Sequence, residues 1–412
     1  MNAKQPSIHA WAPVLDLPMT ARARAVVGSI AEALAARDPR DAWIDGGVGA
    51  ALFLTELERC DLARRSGEAE RWTESLLAHL AETELDPCLQ DGLFGAVWAL
   101  THVRNLVGDA DEALAGIDEV DELALVHLER LHAADLGPRL RIDLLNGLIG
   151  VGVYALERAP EPAALACIAL ILTILDCAAL PCSNGIVWAN SSKWTRTEGW
   201  RELPPGHVDL GMAHGVLGVI AWLARVVELD FPDARARRLL ADAVRGVRAL
   251  TIEDGQGRCS YPGRVAPNEP SRACRVAWCY GDLGAASSLF AAARALGDLA
   301  LEHEALDLAR RAGSRSAEAA GVEDLGLCHG ACGLGSMLQR LAHASGDASL
   351  AALARTWYEH ALAQLSTDQA YGDLGLLEGA SGVGLALLAA SSTRAPDWDR
   401  YLLLSGWSGA PR

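Results

Sequence analysis

The sequence predicts an all-α closed toroid, an (α/α)7 arrangement of seven inner helices inside seven outer ones. Three observations predict it. A Gly-x-x-Gly pattern recurs seven times along the 412 residues, an almost wholly apolar stretch follows each copy, and amphipathic segments lie between copies. Composition agrees: 51% of residues are hydrophobic but only 5% aromatic, with Ala and Leu dominant, as expected of a helical chain with a large core.

Taken in order, residues 21–37 read as the first outer helix. Gly46-Gly47-Val48-Gly49 then opens an inner helix whose apolar run is 50–57. Outer segment 70–84 leads to Gly92-Leu93-Phe94-Gly95, 111–133 to Gly147-Leu148-Ile149-Gly150, and 162–179 to Gly215-Val216-Leu217-Gly218. Segment 234–250 leads to Gly281-Asp282-Leu283-Gly284, whose apolar run is 285–296. Segment 300–319 leads to Gly330-Ala331-Cys332-Gly333, and 348–365 to Gly379-Ala380-Ser381-Gly382. In each outer segment apolar residues recur at three and four with Arg, Glu and Asp between them, so one face is buried. The inner stretches are apolar all round, so they are buried all round. An open solenoid needs polar caps, and the end copies are no more polar than the rest, so a closed ring is the simpler solution.

The first glycines are separated by steps of 46, 55, 68, 66, 49 and 49 residues. The two long steps place insertions near 181–213 and 253–278, rich in Gly, Pro, Ser and Asn, which read as loops at the glycine end of the toroid. No linker or low-complexity segment interrupts the chain, so residues 1–412 read as a single domain. Glycine costs helix propensity, roughly 1 kcal/mol relative to Ala in an interior position. It is tolerated where backbones approach closely or φ is positive, and the expectation is that seven helix starts crowd round one axis.

With 36 basic and 53 acidic side chains the net charge is −17, which disfavours nucleic acid and anionic membrane surfaces as partners. Residues 1–18 lack a secretory signal pattern, and the longest apolar run, 163–175, is too short to span a bilayer. The ten cysteines read as reduced thiols of a cytoplasmic protein rather than a disulfide frame.

A repeat allows equivalent positions to be compared within one chain. The residue before each first glycine is Asp45, Asp91, Asn146, His214, Tyr280, His329 and Glu378 in turn, all polar. Helix capping accounts for the Asp, Asn and Glu members but not for His214, Tyr280 or His329. One position earlier, cysteine appears only in the adjacent fifth and sixth copies, as Cys279 and Cys328. Two thiolates and the His329 imidazole on neighbouring elements form a donor set that suits Zn2+, with a fourth position open as in catalytic sites. Cys332, one turn after Cys328, and Cys259 and Cys274, in a loop that reaches the mouth, remain rival ligands. Asp45 with Asp91 would be the carboxylate pair of a toroidal glycosidase, but that reading gives the thiols no task.

Ala213-His214-Gly215, Trp278-Cys279-Tyr280-Gly281 and Cys328-His329-Gly330, in this order and each on a Gly-x-x-Gly copy, resemble the lanthionine synthetase C family over essentially the whole chain. The resemblance implies an (α/α)7 barrel and a zinc enzyme. Such an enzyme adds cysteine thiols of a dehydrated precursor peptide to dehydroalanine or dehydrobutyrine of the same peptide, forming lanthionine or methyllanthionine rings. It implies zinc ligands at Cys279, Cys328 and His329, a catalytic histidine at His214, and functional residues at Asp143, Arg275 and Tyr280. The length resembles the free-standing cyclases, which implies a separate dehydratase. The alternative is a zinc protein of the same fold that binds thiols, peptides or a partner protein without closing rings. The set Asp143, His214 and Arg275 favours the enzyme.

Overall fold

The computed structural model describes residues 10–63, 67–107, 116–137, 140–189, 207–253, 259–367 and 370–406. Outer and inner helices alternate along them. The pairs are α1 (Leu17–Ala35) with α2 (Ile44–Arg59), α3 (Glu68–Glu82) with α4 (Leu93–Val107), and α5 (Ile117–Ala133) with α6 (Leu148–Arg158). Next come α7 (Pro162–Ala178) with α8 (Val216–Glu228), and α9 (Ala234–Arg248) with α10 (Asp282–Leu296). After α11 (Leu299–Gly313) and a short α12 (Ala317–Ala320) come α13 (Ala331–Ser345), α14 (Ala348–Gln364) and α15 (Ala380–Ser391).

The even-numbered helices α2 to α10, then α13 and α15, touch in sequence, and α15 meets α2, so the inner ring is closed. Every residue of α6 and of α15 is buried, as helices apolar on all sides require; the two charged residues of α6, Glu157 and Arg158, are buried in pairs with His102 and Asp121. The outer helices bury one stripe each: in α9, Leu239, Leu240, Ala243 and Val247 face the ring while Arg237 and Arg245 face out.

Boundaries differ from the sequence expectation where local chemistry intervenes. α1 starts at Leu17 because the Asp16 carboxylate accepts the Met19 N–H and Pro18 suits the first turn. The segment expected as one helix over 300–319 is two, since α11 stops at Gly313 and Ser316 caps α12 through the Ala319 N–H. Residues 111–115 of the expected third outer helix lie outside the described residues. The insertions expected as plain loops carry three antiparallel two-residue ladders: β1 (Leu180–Pro181) with β2 (Ile186–Val187), β3 (Val208–Asp209) with β6 (Arg264–Val265), and β4 (Ile252–Glu253) with β5 (Cys259–Ser260). Strands of two residues are too short to show alternation in sequence. The β3–β6 ladder joins the two insertions to each other, beside the starts of α8 and α10.

The glycine repeat has a different physical basis from the one expected. In copies two to seven the second glycine lies against a backbone carbonyl of its own preceding loop. A Cβ on Gly95 would sit 1.9 Å from the Leu89 oxygen, on Gly333 2.1 Å from that of Leu327, and on Gly382 1.9 Å from that of Leu376. Each loop folds back onto its own helix start, and crowding between neighbouring copies is not the main cause. Only Gly281 among the first glycines needs a positive φ, at 96°.

These loops bond to one another round the mouth. Leu89 N–H donates to Leu145 O (3.0 Å), Leu144 N–H to Ala213 O (2.9 Å), and Ala213 N–H to Cys279 O (3.4 Å). Trp278 N–H donates to Cys328 O (3.1 Å) and Cys328 N–H to Leu377 O (2.9 Å). Copy one has no such loop, because α2 already begins at Ile44. There Asp45 closes the ring: its carboxylate accepts Leu376 N–H (3.1 Å) and its N–H donates to the Asp91 carboxylate (3.0 Å). Asp45 and Asp91 are therefore ring links rather than helix caps. No helix among the described residues is long and apolar enough to cross a membrane.

Candidate metal centre

Cys279, Cys328 and His329 converge. Their ligand atoms all lie within 4.8 Å of one another, and no other His, Cys, Asp or Glu among the described residues joins this group. The loops preceding α10 and α13 bring them together through the Trp278 and Cys279 N–H groups, both bonded to the Cys328 carbonyl. Both cysteines are buried and His329 is half-buried.

The thiols and imidazole act on one another. Cys279 ionises first, because the Cys328 thiol donates a hydrogen bond to it and His329 adds a second favourable contact; burial opposes this. Cys328 is the proton keeper and moves well up. His329 is pushed up to about 10, first by its bond to Asp324 and then by Cys279. His329 Nε2 lies 3.0 Å from Asp324 Oδ2, which leaves Nδ1 as the nitrogen for a metal. A carboxylate behind a ligating imidazole fixes its tautomer and orientation. Tetrahedral zinc, with Zn–S about 2.3 Å and Zn–N about 2.0 Å, needs its ligand atoms about 3.5–3.8 Å apart. The three ligand atoms, all within 4.8 Å of one another, lie near that spacing, so the residues fit the ion.

The rival thiols stand elsewhere. Cys332 is buried inside α13, and burial pushes it up to about 12. Cys259 is exposed on β5. Cys274 is half-buried close to Gly263, and burial raises its thiol. Cys88 and Cys167 are buried thiols likewise pushed up to about 12.

Beside the triad lies an acid–base pair. His214 Nδ1 is 3.6 Å from the buried Asp143 Oδ1, which also accepts the Asn146 N–H at 2.7 Å. Burial works against a charged His214, but contact with Asp143 outweighs it, and the pKa is raised. The Tyr280 ring stacks on His214, with centroids 5.9 Å apart. Its hydroxyl donates to Asp209 Oδ2 at 2.9 Å. Arg275 is exposed on the loop before α10, and its charge is one of the lesser influences favouring the Cys279 thiolate and the Asp324 carboxylate.

Asp324 and Asp209 escaped the sequence reading, yet a signal exists. Six positions before each first glycine stand Arg40, Asp86, Arg141, Asp209, Arg275, Asp324 and Asp373, all charged. The aspartates of copies four, six and seven each accept the N–H two residues on: Gly211 at 2.8 Å, Gly326 at 2.8 Å and Gly375 at 2.7 Å. The same register that exposes the cysteines would have exposed these residues.

Compared by sequence with curated proteins, the chain matches none. Compared by fold, it is similar to the solved structure of nisin cyclase with a TM-score of 0.71 at 18% identity, over 94% of this chain and 98% of that chain. That likeness is one of architecture and agrees with the closed toroid. The family model for lanthionine synthetase C-like proteins matches residues 40–403, which takes in all seven glycine copies and every residue of the site. A sequence match of that extent makes the chain a member of the lanthionine synthetase C-like family.

Proposed function

We propose that this protein is a zinc-dependent lanthipeptide cyclase, acting in the cytoplasm on a dehydrated, cysteine-containing precursor peptide. The observation that carries the reading is the convergence of Cys279, Cys328 and His329 within 4.8 Å of one another, together with an adjacent His214–Asp143 pair. Zinc held there lowers the pKa of a bound thiol and supplies a thiolate at neutral pH. The reaction balances without an oxidant. Sulfur bonds to the alkene β-carbon, the π electrons move to an enolate, and a proton goes to the α-carbon. His214 is the residue placed to carry that proton, taking it from the thiol or giving it to the enolate. Asp143 orients the imidazole and favours its charged form. Arg275, exposed at the mouth, offers positive charge to the enolate. A reaction that eliminates water from Ser and Thr residues must supply the substrate, so a dehydratase is the expected partner.

A protein that binds thiols or peptides without ring closure would keep the metal triad but have no use for the His214–Asp143 pair. Ring closure leaves peptide mass unchanged and consumes a thiol, so the assay is loss of alkylatable cysteine on a dehydrated peptide. The wild-type protein should carry one zinc and close rings. His214→Ala should keep zinc and lose about 100- to 10,000-fold in rate; Cys328→Ala should lose both. A His214→Ala protein that keeps full rate rejects the acid–base assignment, and wild type that binds zinc and peptide but closes no ring supports the binding reading.

A further inference from the structure

Asp209 is buried, at 2% exposure, and both its oxygens are engaged. Oδ1 accepts the Gly211 N–H at 2.8 Å, and Oδ2 accepts the Tyr280 hydroxyl hydrogen at 2.9 Å. The surroundings form a seat for the Tyr280 ring. A Cβ on Gly211 would lie 2.7 Å from a ring carbon, and one on Gly263 3.4 Å from another, so the ring slides between two backbones that carry no side chain. The β3–β6 ladder and the Leu210 N–H bond to Gly263 O at 2.9 Å hold those backbones in place. The ring presents a face to His214.

We propose that Asp209 is a positioning residue for ring closure: by taking the Tyr280 hydroxyl hydrogen it fixes that ring against His214, and so sets the histidine's approach to the substrate. This rests on the cyclase reading. It carries a consequence for Tyr280. The phenol's hydrogen is committed to a carboxylate, so Tyr280 serves as a brace and as an acceptor toward the mouth, and does not deliver a proton to the enolate. Asparagine at 209 keeps one acceptor oxygen for two donors and turns an NH2 toward the other, so Asp209→Asn replaces the charged hold on the phenol hydrogen with a weaker, reversed bond at constant size.

The test is a double-mutant cycle on the zinc-loaded protein with a dehydrated peptide. Asp209→Asn should lower kcat by about a hundredfold, the scale of a misplaced catalytic group, with KM and zinc content unchanged. Tyr280→Phe should do the same, and the double variant should be no slower than either single one. A purely structural role would multiply the two losses or lower zinc content. A second readout needs no activity. With 13C-labelled tyrosine, the phenol Cζ resonance that is missing in Tyr280→Phe should move in Asp209→Asn and stay in place in Asp373→Asn. An unmoved resonance, multiplied losses or an unchanged kcat overturns the proposal. If wild type closes no ring, the cyclase reading fails and with it the catalytic part of the proposal, while the resonance still decides whether Asp209 holds the phenol.

Discussion

His214 and His329 occupy the same register, one residue before a first glycine, and their neighbours separate their tasks. His329 follows a cysteine and is gripped by Asp324 at 3.0 Å, whereas His214 follows Ala213 and faces Asp143 at 3.6 Å. Asp324→Asn removes the charge that orients the His329 ring, so zinc affinity should fall about 10- to 100-fold in competition with a chromophoric chelator. Asp373→Asn, the same change in a copy without cysteine, should leave affinity unchanged. Equal loss in both would assign the effect to the loop and remove the special role of Asp324.

At the scale of the element, the glycines of the repeat are not equivalent. Gly95, in α4, meets the Leu89 carbonyl, and the loop cannot yield without breaking its own bond to Leu145. Gly95→Ala should cost about 3 kcal/mol or more. Gly46 lies inside α2, where a Cβ would make ordinary contact with Ala42 at 3.5 Å. Gly46→Ala should be neutral or stabilise by up to about 1 kcal/mol through helix propensity. Denaturant midpoints separate the two, and equal effects would refute the idea that each loop folds back onto its own second glycine.

In the whole molecule, closure depends on two devices. The first is Asp45, pushed up to about 7 by burial and by the like charges of Asp91 and Asp373. Its folded pKa lies above the unfolded value near 3.8, so the folded state binds more protons and stability falls as pH rises from about 4 to 7. Asp45→Asn keeps an acceptor for Leu376 N–H and removes the repulsion. It should stabilise the protein by about 1–2 kcal/mol at pH 8, since solvent screens part of the shift, and by nothing at pH 4. A pH-independent difference between the two proteins would contradict this. The second device is the segment after α15. Trp398, Tyr401, Leu402, Leu403 and Leu404 are buried. Tyr401 donates to Leu89 O at 2.8 Å, Leu402 O accepts Trp278 Nε1–H at 3.1 Å, and Asp399 pairs with Arg340 at 2.7 Å. Contacts with copies two, five and six at once place this segment inside the ring. Tyr401→Phe leaves the Leu89 carbonyl short of a donor and should cost about 1–2 kcal/mol with zinc retained. No change in thermal midpoint would mean that the segment only fills space.

The number of copies, the helices buried all round, and the meeting of Cys279, Cys328 and His329 are legible in the residues alone. These features are written locally: helix period, apolar content and register all repeat within a few dozen residues, so one copy reports on the next. The partners emerge only on folding. Asp209 finds Tyr280 across 71 residues, β3 finds β6, and Asp45 finds Leu376 across 331. Such hydrogen bonds between distant loops have no period and leave no pattern in either stretch of sequence. The break between α11 and α12, the backbone contacts behind each second glycine, and the burial of the C-terminal segment likewise depend on what the closed ring leaves room for. A chain read one residue after another contains that information only once it has folded.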